Sequence, residues 1–231
     1  MRLIRDLGIS HLLVIHFDRQ FAATSPGDFV VSLSSVCRPL REICVGHEWS
    51  FGKNRAGNLG LLKTFGDKLG FDEVGVPAVE IEGEVVSSTL IRALVEAGEL
   101  EKAARFLGRE FTVLGTVIEG IHLGRKLGFP TANLRTHNEQ FPPDGVYAVE
   151  ASVGGKSRPG VVNIGVRPTL ANQTGERLME IHLFDFEKDI YGEQIEVVFR
   201  RYLRAEKKFA GLDELKAQIA RDAAEARAFL A

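Results

Sequence analysis

Cysteine is scarce in this sequence, which argues against a fold stabilised mainly by disulfide bonds. The chain has two cysteines, Cys37 and Cys44, and their spacing fits neither a zinc site nor a redox pair. We therefore expect both thiols to be small core side chains of a protein that folds in a reducing compartment.

Long apolar runs and an excess of charge are also missing. Apolar runs such as residues 12–15 are far too short to span a bilayer, and the N-terminus (MRLIRD) has no apolar signal core. A formal net charge of −2 gives no dominant surface for nucleic acid or anionic membrane. These absences favour a cytoplasmic protein with neither nucleic acid nor membrane as a partner.

The first hundred residues contain three apolar segments of strand length. Residues 11–17 (HLLVIHF) and 41–46 (REICVG) are two of them, and a third lies within residues 71–81. Helix signals separate the segments, and strands that alternate with helices predict a parallel α/β sheet.

Capping residues mark the ends of these helices. Ser25, followed by proline, opens the first helix, and residues 58–69 form the next, which ends at a glycine. Ser88 or Thr89 is expected to cap a helix that runs to residue 97. A last short helix is expected over residues 99–107.

The pattern changes after Gly108, where short strands follow one another without helices between them. Such strands predict an antiparallel barrel or sandwich. An amphipathic helix over residues 212–230 ends the chain. We place the domain boundary near Gly108, which gives domains at 1–107 and 108–231. The predicted strands cover residues 111–118, 146–153, 160–164, 178–184 and 195–199.

A glycine-rich segment (GIHLGRKLGFPTAN, residues 120–133) carries the strongest chemical signal. Its glycines let the backbone approach a ligand closely, and exposed N–H groups beside two cations can hold phosphates. The residues concerned are Gly120, Gly124, Gly128, Arg125 and Lys126. No Walker-type phosphate loop occurs, so a nucleotide site here has another design.

Two polar residues end this segment. Thr131 and Asn133 lie two apart, so on an extended strand they face the same side. A hydroxyl and an amide oxygen suit Mg²⁺ bound together with substrate phosphates. The alternative is an ordinary turn followed by polar loop residues.

Glu180 alternates with apolar residues on a predicted strand. A carboxylate at a barrel end can serve as the general base for a hydroxyl. By itself the pattern equally fits a solvent-facing glutamate, with His182 as a structural hydrogen-bonding residue. Residues 202–209 (YLRAEKKF) alone indicate no more than a charged connector.

Taken together and in this order, the motifs of residues 108–231 resemble the riboflavin kinase family. The resemblance implies a six-stranded antiparallel β-barrel with a C-terminal helix. It also implies Mg²⁺-dependent transfer of the γ-phosphoryl of ATP to the ribityl 5′-hydroxyl of riboflavin, which gives FMN. The motifs are GRKLGFPTAN, GVY (145–147), NIGVRPT (163–169), MEIHLFDF (179–186), DIYG (189–192) and YLRAEKKF.

The resemblance also implies a role for each matching residue. Thr131 and Asn133 take the metal-linked positions, and Glu180 takes that of the catalytic base. The glycine-rich segment, with Pro130 and Tyr191, is implied to bind ATP. Arg204 and Phe209 are implied to form a mobile flap around the flavin; Ala205 stands where the family often has proline, and we expect a looser flap.

The first hundred residues resemble the adenylyltransferase half of bacterial bifunctional riboflavin kinase/FAD synthetases, which has a Rossmann-like nucleotidyltransferase sheet. The matching pieces include VGHEWSFGK (45–53), which contains Phe51 and Gly52, and VSSTLIR (86–92). Ser88 and Thr89 at a helix start, with Arg92 one turn on, can form an anion site. An ordinary capped helix is the alternative.

The H-x-G-H motif that holds the ATP phosphates in these synthetases does not occur in the 231 residues. We therefore expect a truncated domain that lacks roughly 80 residues, and no effective FMN adenylyltransferase activity in this chain, although the full-length gene product is expected to have it. A homo-oligomer formed through the truncated domain is a further expectation. The alternative to an active kinase is a flavin- or nucleotide-binding module without turnover.

Overall fold

The protein was analysed as a computed structural model that describes residues 2–120, 124, 127–138, 140–166 and 177–231. The chain forms two compact units, Met1–Val85 and Val86–Ala231. The division falls before the expected boundary near Gly108, because the two helices that precede Gly108 group with the second unit.

The first unit is a small α/β arrangement. Strands β1 and β2 pair in parallel, with Glu42 opposite Asp72 and Gly46 opposite Val76, and β3 and β4 form a short antiparallel pair. The parallel pair confirms the α/β class predicted for this region. Its elements are α1 (Arg2–Asp6), α2 (Arg19–Ala22), α3 (Pro26–Val36), β1 (Glu42–Gly46), a 3₁₀ turn (Lys53–Arg55), α4 (Leu59–Leu69), β2 (Asp72–Val76), β3 (Glu80–Ile81) and β4 (Glu84–Val85).

Local signals set the ends of the two longer helices. The Ser25 hydroxyl accepts from the backbone N–H of Asp28 at 3.1 Å, and the Asn58 side chain accepts from Leu61 N–H at 2.9 Å. Helix α4 ends at Gly70, whose φ of 79° is left-handed. Both helices therefore begin where the sequence predicts.

The core of this unit is small. Its buried members are Val30, Phe51, Leu62 and Phe71. Around them lie partly buried side chains, including Trp49, whose ring stacks on Phe51 with centroids 4.5 Å apart.

The strand predicted at residues 11–17 is wrong. These residues have no regular secondary structure, and Val14 and Phe17 are 67% and 74% exposed. An extended segment is stabilised as a strand only when a neighbour supplies hydrogen-bond partners. No strand in the described part of the chain pairs with this segment, so its apolar side chains stay at the surface.

The prediction that both cysteines are core residues is also wrong. Cys37 and Cys44 are exposed free thiols. Cys44 lies in the middle of β1, where exposed and partly buried residues alternate, and it falls on the exposed face.

The second unit is a closed six-stranded barrel of antiparallel strands, in the order β10-β5-β6-β9-β8-β7. This confirms the barrel and its C-terminal helix. Its elements are α5 (Ser88–Glu96), α6 (Leu100–Leu107), β5 (Thr112–Ile118), β6 (Ala132–Thr136), β7 (Gly145–Val153), β8 (Lys156–Val166), β9 (Arg177–Leu183), β10 (Gln194–Arg204) and α7 (Leu212–Leu230).

Alternate residues of the strands fill the barrel. Tyr147, Val162, Ile181 and Val197 are among the buried core side chains. The residues between them face outward, where Ala148 and Phe184 pack with Ala223 and Ala226 of α7. Helix α7 therefore covers part of the outer wall of the barrel, as its amphipathic sequence predicts.

No helix in the described ranges combines the length and the apolar character that crossing a membrane requires.

Candidate active site

One residue from each strand forms a row that crosses the whole barrel wall. Asn133 of β6 lies opposite Glu180 of β9, and Glu180 lies opposite Asn163 of β8. The row continues through Val146 to Arg204 on one side and to Ile118 on the other. Polar residues that are far apart in the sequence are thus direct cross-strand neighbours.

The side chains of this row point away from the barrel interior. Their sequence neighbours Leu134, Ile164 and Ile181 belong to the interior core. Because side chains alternate along a strand, Asn133, Asn163 and Glu180 lie on the opposite, outer face.

A cavity of about 190 Å³ lies on this outer face, bounded by the barrel wall, the connector after β10 and α7. The predicted residues Gly124, Thr131, Asn133, Glu180, Arg204 and Phe209 all line it. Its other lining residues are Leu127, Val146, Val161, Asn163, His182, Glu206, Lys207, Leu215, Ile219, Asp222 and Ala223. The structure therefore brings the expected base, metal and flavin residues to one place.

A second cavity lies on the other side of Thr131. It is lined by Thr131, Pro130, Tyr191 and the charged stretch from Glu187 to Asp189, among others. Tyr191 is 48% exposed, and its backbone N–H donates to the Asp189 carboxylate at 3.0 Å. Thr131 is therefore shared by the two cavities.

Two glycines make the close backbone approach that the sequence predicts. A Cβ on Gly120 would overlap the Asn133 amide group. A Cβ on Gly124 would overlap the Phe129 carbonyl and come within 2.9 Å of the Thr131 hydroxyl oxygen. Side chains at these positions would displace Asn133 and Thr131.

Gly128 also needs to be glycine on conformational grounds, since its φ is 86°. Arg125 and Lys126, the expected phosphate-binding cations, lie outside the described residues.

His182 fixes the segment that carries Thr131. Its Nδ1–H donates to the Pro130 carbonyl at 2.8 Å, which sets the proton on that nitrogen because a carbonyl only accepts. The ring is edge-on to Phe129 and Phe184, with centroids 5.6 and 5.7 Å away. This geometry supports the structural role expected for His182.

Arg204 is held by a residue that the sequence did not single out. Its guanidinium binds the Asp222 carboxylate through Nε and Nη2 and donates from Nη1 to the Ala205 carbonyl. It also lies 5.9 Å from the centroid of the Phe209 ring. A usable signal was present, since Asp222 falls between Ile219 and Ala226 on the apolar face of the last helix.

The connector after β10 has a second attachment to the barrel that sequence reasoning missed. Asn163 donates from Nδ2 to the Glu206 carboxylate at 2.8 Å. A Cβ on Gly165 would overlap that carboxylate, so a side chain there would displace Glu206 from this position. Because Asn163 and Glu206 are far apart in sequence, only the folded barrel reveals the pair.

An exposed ion pair joins the segment after β9 to α7. Arg227 donates to Asp185 at 2.8 and 2.9 Å, and this hydrogen bonding holds the pKa of the Asp185 carboxyl below its ordinary value. The same contact raises the pKa of Arg227, whose guanidinium also lies 4.2 Å from the centroid of the Phe184 ring.

The residues matched to the adenylyltransferase are divided between the two units. Phe51 and Gly52 lie in the first unit, where Phe51 is buried and a Cβ on Gly52 would contact Pro26 at 2.7 Å. Ser88, Thr89 and Arg92 lie exposed at the start of α5, in the second unit.

The prediction that Ser88 or Thr89 caps this helix is wrong. The cap is Ser87, whose hydroxyl accepts from Leu90 N–H at 3.2 Å. Three hydroxyl residues in a row left the sequence ambiguous, and only Ser87 has the extended backbone of a cap.

Comparison with known proteins agrees with this arrangement. Residues 107–230 match the riboflavin kinase (flavokinase) family, and residues 1–90 match the FAD synthetase family. The bifunctional riboflavin kinase/FMN adenylyltransferase of Escherichia coli K12 is 40% identical over 230 residues, which are 99% of this chain and 73% of that protein. The Pseudomonas fluorescens protein of the same name is 38% identical over 97% of this chain and 72% of its own length.

A solved structure is also similar over nearly the whole chain. A crystal structure described as a macrolide-efflux protein from Streptococcus pneumoniae matches 96% of this chain and 71% of its own, with a TM-score of 0.79 and 30% identity. On the family match, the shared length and the identity, the chain belongs to the bifunctional riboflavin kinase/FMN adenylyltransferase family.

Proposed function

We propose that this chain is a riboflavin kinase, which transfers the γ-phosphoryl of ATP to the ribityl 5′-hydroxyl of riboflavin and yields FMN and ADP. The observation that carries the proposal is the position of Thr131 between two cavities. Phosphoryl transfer needs two substrates whose reacting ends meet at one point.

The first cavity fits the flavin. Phe209 offers an aromatic face and Arg204 a guanidinium, while Leu215 and Ile219 supply apolar surface from α7. Glu180 lies on the wall of this cavity, where its carboxylate can take the proton of the ribityl 5′-hydroxyl as that oxygen attacks phosphorus. We therefore propose that the acceptor binds on the Glu180 side of Thr131.

The second cavity fits the nucleotide. Tyr191 and Pro130 line it. The backbone N–H groups of the glycine-rich segment are proposed to hold the phosphates, as the sequence predicts. Arg125 and Lys126 are proposed to neutralise phosphate charge, as the sequence predicts.

The donor atoms of the site suit Mg²⁺. The Thr131 hydroxyl and the Asn133 amide oxygen are hard ligands, and backbone without side chains lies against both. No group of three or more His, Cys, Asp or Glu side chains that could hold a metal occurs in the described ranges, so the ion would rest mainly on Thr131, Asn133 and the phosphates. When bound, Mg²⁺ would offset the charge on the phosphates of ATP.

The test is direct. Purified chain, riboflavin, ATP and Mg²⁺ should give FMN and ADP in equal amounts, measured by chromatography. Riboflavin that binds, as measured by quenching of its fluorescence, without forming FMN at micromolar enzyme would favour a binding module without turnover.

FMN adenylylation is a second candidate function, favoured by the match of residues 1–90 to the FAD synthetase family. We propose that it is weak or absent in this chain, because the 231 residues contain no H-x-G-H motif and loss of one preorganised donor typically costs about 10²–10³-fold. Chromatography of a reaction with FMN, ATP and Mg²⁺ measures it. FAD at a rate within about tenfold of a full-length bifunctional enzyme would contradict the proposal. A cytoplasmic location and self-association through the first unit remain predictions.

A further inference from the structure

We infer that Asp222 is a positioning residue that holds the Arg204 guanidinium against the flavin side of the cavity, which makes helix α7 part of the active site. The inference rests on the kinase function proposed above. It adds a residue from the end of the chain that carries no motif of the family resemblance.

The burial of Asp222 is the first observation. Asp222 is 5% exposed, and only it and Asn133 are buried polar or charged residues in the ranges that the structure describes. It lies on the face of α7 that packs on the barrel, next to Ala223. A carboxylate in such a place is costly unless it is paired and hydrogen-bonded.

The partners of Asp222 meet that requirement. Arg204 Nε lies 3.0 and 3.1 Å from the two carboxylate oxygens, and Nη2 lies 2.7 Å from Oδ2. Gln218, one turn earlier on α7, donates from Nε2 to Oδ1 at 2.7 Å. A forked contact of this kind fixes the plane of the guanidinium as well as its distance.

The orientation of the Arg204 guanidinium plane affects the contacts that Arg204 can make in the cavity. Arg204 ends β10 and stands in the same cross-strand row as Asn163 and Glu180. Its Nη1 donates to the Ala205 carbonyl at 2.9 Å, and its guanidinium lies near the Phe209 ring. By fixing the guanidinium plane, Asp222 would set the direction in which Arg204 presents its remaining N–H groups to an isoalloxazine or ribityl oxygen.

A purely structural role for the ion pair predicts different behaviour. In that case, loss of Asp222 lowers the stability of the barrel and leaves the kinetic constants of the folded fraction unchanged. Positioning instead predicts an effect on riboflavin that depends on the presence of Arg204. Double-mutant cycles separate the two roles, because residues that act as one unit are non-additive.

The experiment compares D222N with D213N, which makes the same chemical change at an exposed position of the same helix. We expect D222N to raise both KM and Kd for riboflavin by about tenfold or more, as for loss of a charged hydrogen bond. KM for ATP should stay within about twofold of wild type, and D213N should behave as wild type. In an R204A background, D222N should cause no further change in riboflavin Kd.

Two further variants keep the test decisive. D222E retains the carboxylate and should recover part of the riboflavin affinity. Q218A removes only the supporting hydrogen bond and should shift riboflavin Kd in the same direction by a smaller factor, in a chain expected to fold even if D222N does not. Riboflavin Kd is read from fluorescence quenching and does not depend on turnover.

The outcomes separate the two proposals. Wild-type chain that binds riboflavin but makes no FMN would refute the kinase proposal and leave the positioning role to be judged from Kd alone. Unchanged riboflavin Kd in D222N and Q218A, or additive effects of R204A and D222N, would refute the positioning role while the kinase proposal stands. Wild-type chain that does not bind riboflavin would overturn both.

Discussion

The two compact units of this chain differ in whether their strands form an open or a closed sheet. Among the described residues, the first has a parallel pair of strands with no further strand on either edge and four buried core side chains, and it leaves the apolar residues 12–15 at the surface. The second has a barrel in which each strand has two neighbours, with seventeen buried core side chains in the part of the chain that the structure describes. Closure satisfies the strand edges and lets one core form, whereas an open pair needs other surfaces to cover it.

The closed barrel also brings its predicted site residues together. In the barrel, register alone brings Asn133, Glu180 and Asn163 side by side. Of the adenylyltransferase-like residues, Phe51 belongs to the first unit and Arg92 to the second. In the barrel, neighbouring strands fix the relative positions of Asn133, Glu180 and Asn163.

The largest expected effect comes from Glu180→Gln, which tests whether the chemistry belongs to the barrel. Loss of a general base should lower kcat by about 10²–10⁴-fold with little change in riboflavin affinity. Steady-state FMN formation measures this loss. The control is Glu101→Gln, the same change at an exposed position of α6. A kcat of the Glu180→Gln enzyme within about threefold of wild type would show that Glu180 lines the cavity without acting as the base.

The next prediction compares mutations in the two hydrophobic cores. Leu134 of the barrel and Leu62 of the first unit are both essentially unexposed. Each leucine-to-alanine change should lower the free energy of unfolding of its own unit by about 2–5 kcal/mol. Leu134→Ala should therefore weaken riboflavin binding in urea, while Leu62→Ala should leave that binding at the wild-type midpoint.

Spectroscopy can follow the two cores separately. Trp49 is the single tryptophan and lies in the first unit, so its fluorescence reports that unit, whereas riboflavin binding reports the barrel. If Leu62→Ala shifts both signals equally, the two units unfold as one and the contrast between them is wrong.

A smaller effect is expected at the metal-linked residues. Thr131→Ala and Asn133→Ala each remove one oxygen ligand and should raise the Mg²⁺ concentration for half-maximal rate by about tenfold. Thr136→Ala, at the far end of β6 from Asn133, serves as the control. Wild-type Mg²⁺ dependence in both site variants would mean that Thr131 and Asn133 are ordinary polar residues.

The smallest effect concerns the exposed pair of Asp185 and Arg227. Because the folded state lowers the pKa of Asp185, the pair adds stability above the ordinary pKa of an aspartate and loses it as the pH falls through the lowered value. Asp185→Asn should therefore lower Tm slightly at neutral pH, with the difference vanishing in acid, as calorimetry can measure. A Tm difference that persists at low pH would have another cause.

Features governed by local sequence were predicted well. Helix α7 spans the predicted residues because its apolar positions repeat with the helical period, and α4 is bounded by the Asn58 cap and Gly70. Thr131, Asn133 and Glu180 were singled out from short motifs, but those motifs alone also fitted polar loop residues and a solvent-facing glutamate. The roles predicted for them came from the family resemblance.

Features that depend on a distant partner could not be predicted. Residues 11–17 have the composition of a strand, yet a strand exists only when another strand pairs with it. The pairs Asn163–Glu206 and Arg204–Asp222 join residues separated by long stretches of chain. The sequence by itself determined the longer helices and the change from an α/β region to consecutive antiparallel strands. The tertiary structure alone decided which residues face each other, because strand register and helix docking are set by the whole core.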